Sequence, residues 1–402
     1  MSVTIIGSGV AGLASAIALK QQGFEPLIFE RTSEQSTTGI GAGIVLWPNA
    51  MFVLEQLGLL NKILKVSAPV KRMRRFNHLN LALNSMDIEA LNLAAGFTSR
   101  SILRADLMAV LQAEARALDI KIHYNHELTD LAETSSGIRL SFNHSHSIYN
   151  CQTLIGADGR MKSTLRKFLL GDNAPVYQKF INVIGISNHI SYRSSQDVLD
   201  YWGAGARFGI VPVNSESSSI NNSPELASQA NAYWAAGWYS AEKDSAAIDS
   251  QQLLNSLKEQ FKNWPAPVKQ ALLATDHNTL KKLYIHDHTP DERWSKGNIL
   301  MIGDAAHAAL PTSGQGACQA LEDAWWLAKI TAEQEISPEA FTRFSAVRQS
   351  KTKAITQSGR AMARTIFNPD TEACKIRDIN LSQGPQSADS TAIANFWMQG
   401  LA

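Results

Sequence analysis

The first thirty residues leave the chain little freedom. A β-branched run, Val3 to Ile6, is followed at once by Gly7-Ser8-Gly9-Val10-Ala11-Gly12 and a helical pattern from Leu13 to Gln22. Gly23 ends that helix, Pro26 to Phe29 is a second apolar strand, and Glu30 closes it. A glycine turn placed between a strand and a helix is a dinucleotide-binding unit. Gly7 allows the tight turn, Gly9 lets a pyrophosphate approach the backbone, and Gly12 lets the helix pack closely on the strand. Val10 and Ala11 belong to the same phosphate-facing turn, where the first N–H groups of the helix lack partners. Glu30, eighteen positions after Gly12, is the acid expected to accept a hydrogen bond from the adenosine ribose. A free 2′-hydroxyl suits FAD or NAD and argues against NADP here. Arg31 weakens that exclusion, because an arginine can meet a 2′-phosphate.

A second glycine-rich stretch lies far down the chain. Asn298 to Ile302 is an apolar strand, followed by Gly303-Asp304, a bend at Pro311, and the turn Gly314-Gln315-Gly316 before a helical pattern from Ala317 to Lys329. Such a turn presents unpaired N–H groups and the positive end of a helix dipole to whatever sits beyond it. A reduced flavin, anionic at N1 and the C2 carbonyl, would be held there. Taken alone, the stretch is also compatible with any strand, loop and helix of an α/β protein. Between the two stretches, Gly39-Ile40-Gly41-Ala42-Gly43 forms a backbone able to lie against a flat ring, or a flexible surface loop.

The remaining segments suggest how these stretches are held. Asn49 to Leu60 is an amphipathic helix, residues 70–96 read as two strands with a polar turn, and Arg104 stands where a strand meets the helix Ala105 to Leu118. Arg104 can reach a cofactor phosphate or flavin edge, or pair on the surface with Asp106 or Glu114. Ile120 to Tyr124, Leu128 to Glu133, Ile138 to Phe142 and His146 to Tyr149 alternate like a strand meander. Cys151 to Ile155 reads as one buried strand, running into Gly156-Ala157-Asp158-Gly159 and a helix from Thr164 capped by Ser163. From Val176 to His288 aromatic-rich strands predominate, with helices over Gln251 to Lys262 and Pro265 to Leu273, and Asn214 to Ala230 reads as a long exposed loop. Ser337-Pro338-Glu339 starts a helix expected to reach Phe367, and Phe396-Trp397-Met398 is expected to pack back on the body or to serve a contact between subunits.

Composition excludes several classes. In 402 residues with 45% hydrophobic and 18% charged, a net charge of +1 gives no reason to invoke nucleic acid or an anionic membrane. No apolar run approaches the roughly 20 residues that span a bilayer. Cys151, Cys318 and Cys374 are odd in number, far apart and without metal-ligand spacing, so no metal is expected and a reducing cytoplasm is. The first ten residues lack a basic leader.

Three motifs in this order resemble the single-component FAD-dependent aromatic hydroxylases, the group containing para-hydroxybenzoate and salicylate hydroxylases. They are Gly7 to Gly12 with Glu30, Gly156 to Gly159, and Gly303-Asp304 followed by Pro311 and Gly314 to Gly316. The resemblance implies an α/β chain with a Rossmann-like FAD-binding domain (1–175, with 70–96 joining the next unit), a β-sheet substrate domain (176–285), the remainder of the FAD domain (286–335) and C-terminal helices (336–402). It also implies that Asp304 meets the ribityl or pyrophosphate part of FAD, that Asp158 and Gly159 serve FAD and the visiting nicotinamide, and that Arg104 contacts the cofactor. Pro311, Gly314, Gln315, Gly316 and Ala317 would lie beside the flavin, with Gly41, Ala42 and Gly43 on the other side. One dinucleotide fingerprint, with no second, implies that NADPH or NADH visits transiently. The reaction so implied adds O2 at flavin C4a and passes the terminal oxygen of the hydroperoxide to an electron-rich ring carbon.

Substrate residues are less constrained. Arg207 is a candidate anchor for an anionic or carbonyl group, or an edge-strand arginine in solvent. Tyr192, Tyr201, His189 and Tyr233 are candidates to polarise a phenol, or plain core. His307 reads first as a packed, hydrogen-bonded histidine. Hydroxylases of quinone precursors or polyketide-type antibiotics share every motif above. A non-oxygenating reductase or redox-sensing flavoprotein also stays open, whereas a halogenase lacks its Trp-x-Trp-x-Ile-Pro run here. A monomer or homodimer fits either way.

Overall fold

The computed structural model describes residues 1–37, 43–143, 148–171, 173–188, 196–213, 230–243, 248–385 and 387–401. Two sheets dominate it. The first pairs Ser2–Ile6 in parallel with Glu25–Phe29 on one side and Leu154–Gly156 on the other, then extends to Lys121–His123 and to Ile299–Met301, all parallel. Ser295–Lys296 adds a short antiparallel edge. The inner strands Leu154–Gly156 and Ile299–Met301 are fully buried apolar runs because both faces of a parallel sheet are covered there, whereas the edge strand Lys121–His123 is exposed at both ends. The helix Val10–Gln21 is buried from Ala11 to Leu19, since it lies between the sheet and the long helix Gly316–Glu333. Leu13, Ile17 and Leu19 are fully buried there, contributing on the order of 2 kcal/mol each.

Among the described residues the second sheet has seven strands, built from Lys281–Asp287, Val176–Asn188, Ala230–Tyr239, Ala206–Pro212, Asp197–Trp202, Arg72–Asn77 and Ala82–Asp87 in that order. Its two faces follow the period of two. Val183, Leu199, Tyr201, Phe208, Ile210, Trp234 and Ala236 pack under the helices Ser250–Gln260 and Ala266–Leu273, forming a core of their own. Their alternates, including Ile184, Arg207, Gly209, Val211, Tyr233 and Ala235, face the parallel sheet and line a cleft.

Several details depart from sequence expectation. Residues 72–87 do supply two strands, but Ile88–Ala95 then forms a helix that the pattern did not suggest. Its signals were present: Asp87 accepts from Ala90 N, and Gly96 ends it with a positive φ of 77°. Cys151 to Ile155 is not one strand. Ile148–Cys151 closes the antiparallel meander, and Leu154–Gly156 enters the parallel sheet. Lys121–His123 likewise leaves the meander for the parallel sheet. The tail beyond Phe367, by contrast, agrees with expectation: it forms two helices, Thr371–Gln383 and Ser390–Met398, and Trp397 is buried against the body.

The excursion between Gly156 and Ile299 returns to its starting place, since Leu154 and Ile299 are register partners. Ser163 caps the helix Thr164–Leu170, as its sequence suggested. From that helix the buried Arg166 donates to the carbonyls of Ala305 (2.8 Å) and Ala306 (3.2 Å), tying the two motif-bearing turns together. Burial pushes its guanidinium pKa down to about 10.

Candidate active site

The turns of the parallel sheet and the inward face of the seven-stranded sheet enclose a cleft of about 780 Å³, within the usual size of cofactor and ligand sites. At one end lies the first glycine turn. Gly7 has φ +101°, and a Cβ there would sit 2.3 Å from the Ala157 carbonyl oxygen. A Cβ on Gly12 would meet the Gly7 carbonyl oxygen at 1.9 Å, so Gly12 serves helix packing from behind the lining. At Gly9 a Cβ would meet nothing within 4 Å, and the helix that follows has no side-chain cap. Its first N–H groups, at Val10 and Ala11, open on the cleft.

Glu30 lies in the same lining. One carboxylate oxygen accepts from Ser8 N (2.8 Å) and Ser8 Oγ (3.0 Å), the other from Thr32 N (2.9 Å) and Thr32 Oγ1 (2.8 Å). Burial opposes its ionisation, but these four bonds outweigh it and hold the carboxyl below its ordinary value. Arg31 lines the rim of the same end. Arg104, at the start of the helix Arg104–Ala117, is partly buried in the cleft and makes no hydrogen bond or ion pair among the described residues. Burial lowers its pKa, with Asp304 and Glu30 acting the other way. A half-buried guanidinium without a protein partner suits a phosphate.

The two other motifs meet at a single ion pair. Arg160 donates to Asp304 Oδ2 from Nε (3.0 Å) and Nη2 (2.6 Å), and to the His286 carbonyl (3.2 Å). Asp304 chiefly, against burial, raises the Arg160 pKa. Asp304 Oδ1 takes no hydrogen bond among the described residues. Gly303 has φ +57°, and its N–H goes to the buried Asp323 (2.7 Å), so this glycine shapes the turn from behind. Asp158 contributes backbone to the lining, whereas its carboxylate turns back to Ser163 Oγ (2.6 Å) and Leu165 N (3.2 Å) as part of a helix cap. Burial raises its pKa. Gly159 beside it has open space at its Cβ position.

The third wall is the tip of the helix Gly316–Glu333. Pro311, Gly314, Gly316 and Ala317 line the cleft, a Cβ at Gly316 would meet nothing within 4 Å, and no side chain caps the helix. The first turn of N–H groups is therefore presented to the cleft. Gln315 departs from expectation, since its side chain is buried and its Oε1 accepts from Asn49 Nδ2 at 2.9 Å. Opposite the tip, Gly43 leans on Tyr233 so closely that a Cβ would fall 1.7 Å from the ring. Gly41 and Ala42 lie outside the described residues.

In the sheet wall, Arg207 lines the cleft with its Nε anchored on Asp200 Oδ1 at 2.6 Å. Asp200 is buried and also accepts from Trp202 Nε1 (2.9 Å) and Arg75 Nε (3.3 Å). Burial works against its charge, yet Arg207 and Arg75 hold its pKa below the ordinary value. Tyr233 lines the cleft, and burial pushes its phenol up. Tyr201 must be corrected: the alternation that turns Arg207 inward turns Tyr201 outward, where it stacks on Phe76 at 5.4 Å in the helix-covered core. Tyr192 and His189 lie outside the described residues. His307 is a packed histidine, 2.6 Å from Asp323. Sequence reasoning passed over Arg160, Trp47, Met73 and Lys281, all of which line the cleft. Arg160 directly follows the motif Gly156 to Gly159, and that was its only signal.

An open glycine turn with an uncapped helix, the Glu30 carboxylate in the same lining, an arginine without a hydrogen-bond partner among the described residues and a second uncapped helix tip fit FAD. Comparison with known proteins agrees. The family model described as FAD binding domain matches residues 1–357. The chain is 26% identical over 378 residues to the aurachin C monooxygenase/isomerase of Stigmatella aurantiaca, covering 94% of this chain and 93% of that one. It is 26% identical over 371 residues to the FAD-dependent urate hydroxylase of Klebsiella pneumoniae, covering 90% and 89%. The crystal structure of Klebsiella pneumoniae HpxO complexed with FAD and uric acid superposes with a TM-score of 0.87 at 23% identity, over 100% of this chain and 98% of that one. No helix among the described residues is long and apolar enough to cross a membrane. With its three motifs gathered around one cleft, the chain belongs to the FAD binding domain family, among the single-component FAD-dependent aromatic hydroxylases.

Proposed function

We propose that the protein is an NAD(P)H-using, FAD-dependent monooxygenase that places one oxygen atom on a small aromatic or heteroaromatic ring. The observation that carries this reading is the shared cleft, in which dinucleotide turns, an uncapped helix tip and an apolar sheet wall bearing one arginine line the same space. When bound, FAD supplies the electron transfer and oxygen activation that no side chain provides.

The chain's own residues do the rest. The turn at Gly9 and Val10 and the unpaired Arg104 hold phosphate, Glu30 accepts from the ribose, and Asp304, fixed by Arg160, meets the linking chain through its free oxygen. The N–H groups at Gly316 and Ala317 favour negative charge at the ring edge. Ile184, Val198, Val211 and Leu283 form an apolar wall that keeps water from the reacting atoms. Arg207, oriented by Asp200, anchors the substrate's acidic or carbonyl oxygen. Tyr233, a neutral phenol at this burial, is placed to donate to a ring substituent. The name of the urate hydroxylase relative supports a heteroaromatic ring of this size.

The purified protein is expected to be yellow, and an accepted ring compound should accelerate NADH or NADPH oxidation with oxygen uptake and a product heavier by one oxygen. A screen of phenols, anilines and heteroaromatic rings that yields peroxide with every compound, and no oxygenated product, would overturn the reading.

A further inference from the structure

The helix tip at Gly316 does not hold its place unaided. Its turn is fastened from behind at two points, and both fastenings lead to the C-terminal helix Ser390–Met398. At the first point Trp47 Nε1 donates to the Gly314 carbonyl at 2.9 Å. The Trp47 ring lies 4.8 Å from that of Trp397, inclined at 47°. At the second point, Gln315 Oε1 accepts from Asn49 Nδ2, which also donates to Glu322 Oε1 at 2.7 Å. Both Glu322 oxygens receive Lys351 Nζ at 2.9 Å, and Lys351 completes its shell on the Trp397 carbonyl at 2.5 Å and the Gln399 carbonyl at 3.3 Å.

Asn49, Gln315, Glu322, Lys351 and Trp397 are buried, and Arg348 ties them to the other cofactor turn by binding Glu322 (2.7 Å) and Asp323 (2.8 Å). Asp323 holds the Gly303 N–H. In a low-dielectric interior these charges have no substitute partners, so the position of the last helix is transmitted to the turns rather than absorbed. The residues after 357 lie beyond the family match.

We propose that the C-terminal helix is a brace that sets the electrostatics of the flavin site, with Trp397, Trp47 and Lys351 as positioning residues acting through Gly314 and Gln315. The proposal rests on the FAD reading above. Releasing the brace lets the first turn of the helix swing away from the ring edge, and the partial positive charge that favours the electron-rich flavin is diluted.

The test uses the full-length holoprotein and three variants: Trp397→Ala, Trp397→Phe and Trp47→Phe. Folding is followed by circular dichroism, and each variant is measured for its FAD dissociation constant and for the midpoint potential of bound FAD. Trp397→Ala should raise the dissociation constant about tenfold or more and shift the potential negative, with Trp397→Phe restoring both towards the parent. Trp47→Phe keeps a smaller aromatic ring against Trp397 and removes the donor to Gly314, so it should show the negative shift even if Trp397→Ala proves insoluble. A Trp47→Phe protein with the parent's potential and FAD affinity would overturn the brace. A parent that binds no FAD would overturn the FAD reading instead, which keeps the two failures apart.

Discussion

Charges at single residues decide what the cleft can hold. Arg104 is a half-buried cation of the cleft with no hydrogen-bond or ion-pair partner among the described residues, so Arg104→Ala should weaken FAD binding by roughly ten- to a hundredfold, the worth of a charge-assisted hydrogen bond of about 1.5–3 kcal/mol. Titration of apoprotein with FAD checks this, and an unchanged dissociation constant would remove Arg104 from the phosphate site. Asp323 makes a separate prediction. Burial disfavours its charge, but His307 and Arg348 outweigh burial and depress its pKa. A depressed carboxyl contributes stability above its unfolded value near 3.8 and loses that contribution as the pH falls through its folded value. The parent should therefore lose stability on acidification below about pH 4, and Asp323→Asn should be less stable at neutral pH with a shallower acid limb. Denaturant midpoints measured across that range would show it. Residues whose role is local were legible in the sequence: Gly7, Gly12 and Glu30 sit in one contiguous unit. Arg160 was not, because its partner Asp304 is 144 positions away. Tyr201 was misassigned because alternation separates two faces of a strand without saying which one meets the cofactor.

Elements show the same division. The helices that begin after Ser163 and Ser337 could be placed from pattern alone, since those residues mark starts that local hydrogen bonding enforces. The helix Ile88–Ala95 was hidden by a short, weakly patterned stretch. The split of residues 148–156 between two sheets was hidden too, because both halves are equally strand-like and only tertiary pairing separates them. At this scale the contact between the strand Gly43–Leu46 and Tyr233 is the most demanding. Gly43→Ala should drive a methyl group into the Tyr233 ring, costing about 1–3 kcal/mol as an overpacking defect. It should also raise the KM for substrate more than it weakens FAD, because Tyr233 belongs to the sheet wall. Equal effects on both constants would place that tyrosine elsewhere in the cycle.

For the whole molecule, cofactor and fold are expected to be coupled. Because the parallel sheet and the seven-stranded sheet both line the cleft, FAD at a hundredfold excess over its dissociation constant should stabilise the protein by about 2.7 kcal/mol. The thermal midpoint of the holoprotein should rise accordingly and then climb with FAD concentration. A midpoint that ignores added FAD would mean that the cleft walls are already fixed without it. The overall architecture was legible because three motifs in order allow few arrangements, whereas the substrate wall was not, since its side chains come from six separated strands.

The chain that leaves Gly156 comes home beside it at Ile299, and Arg166 rivets the two ends. Mutations accumulating in the sheet strands of that detour, beyond Arg160 and Arg166, have little leverage on the spacing of the two cofactor turns, which is held at the junction. A lineage can thus retool which molecule it oxidises, by rewriting the detour, while the prosthetic-group cradle is inherited untouched.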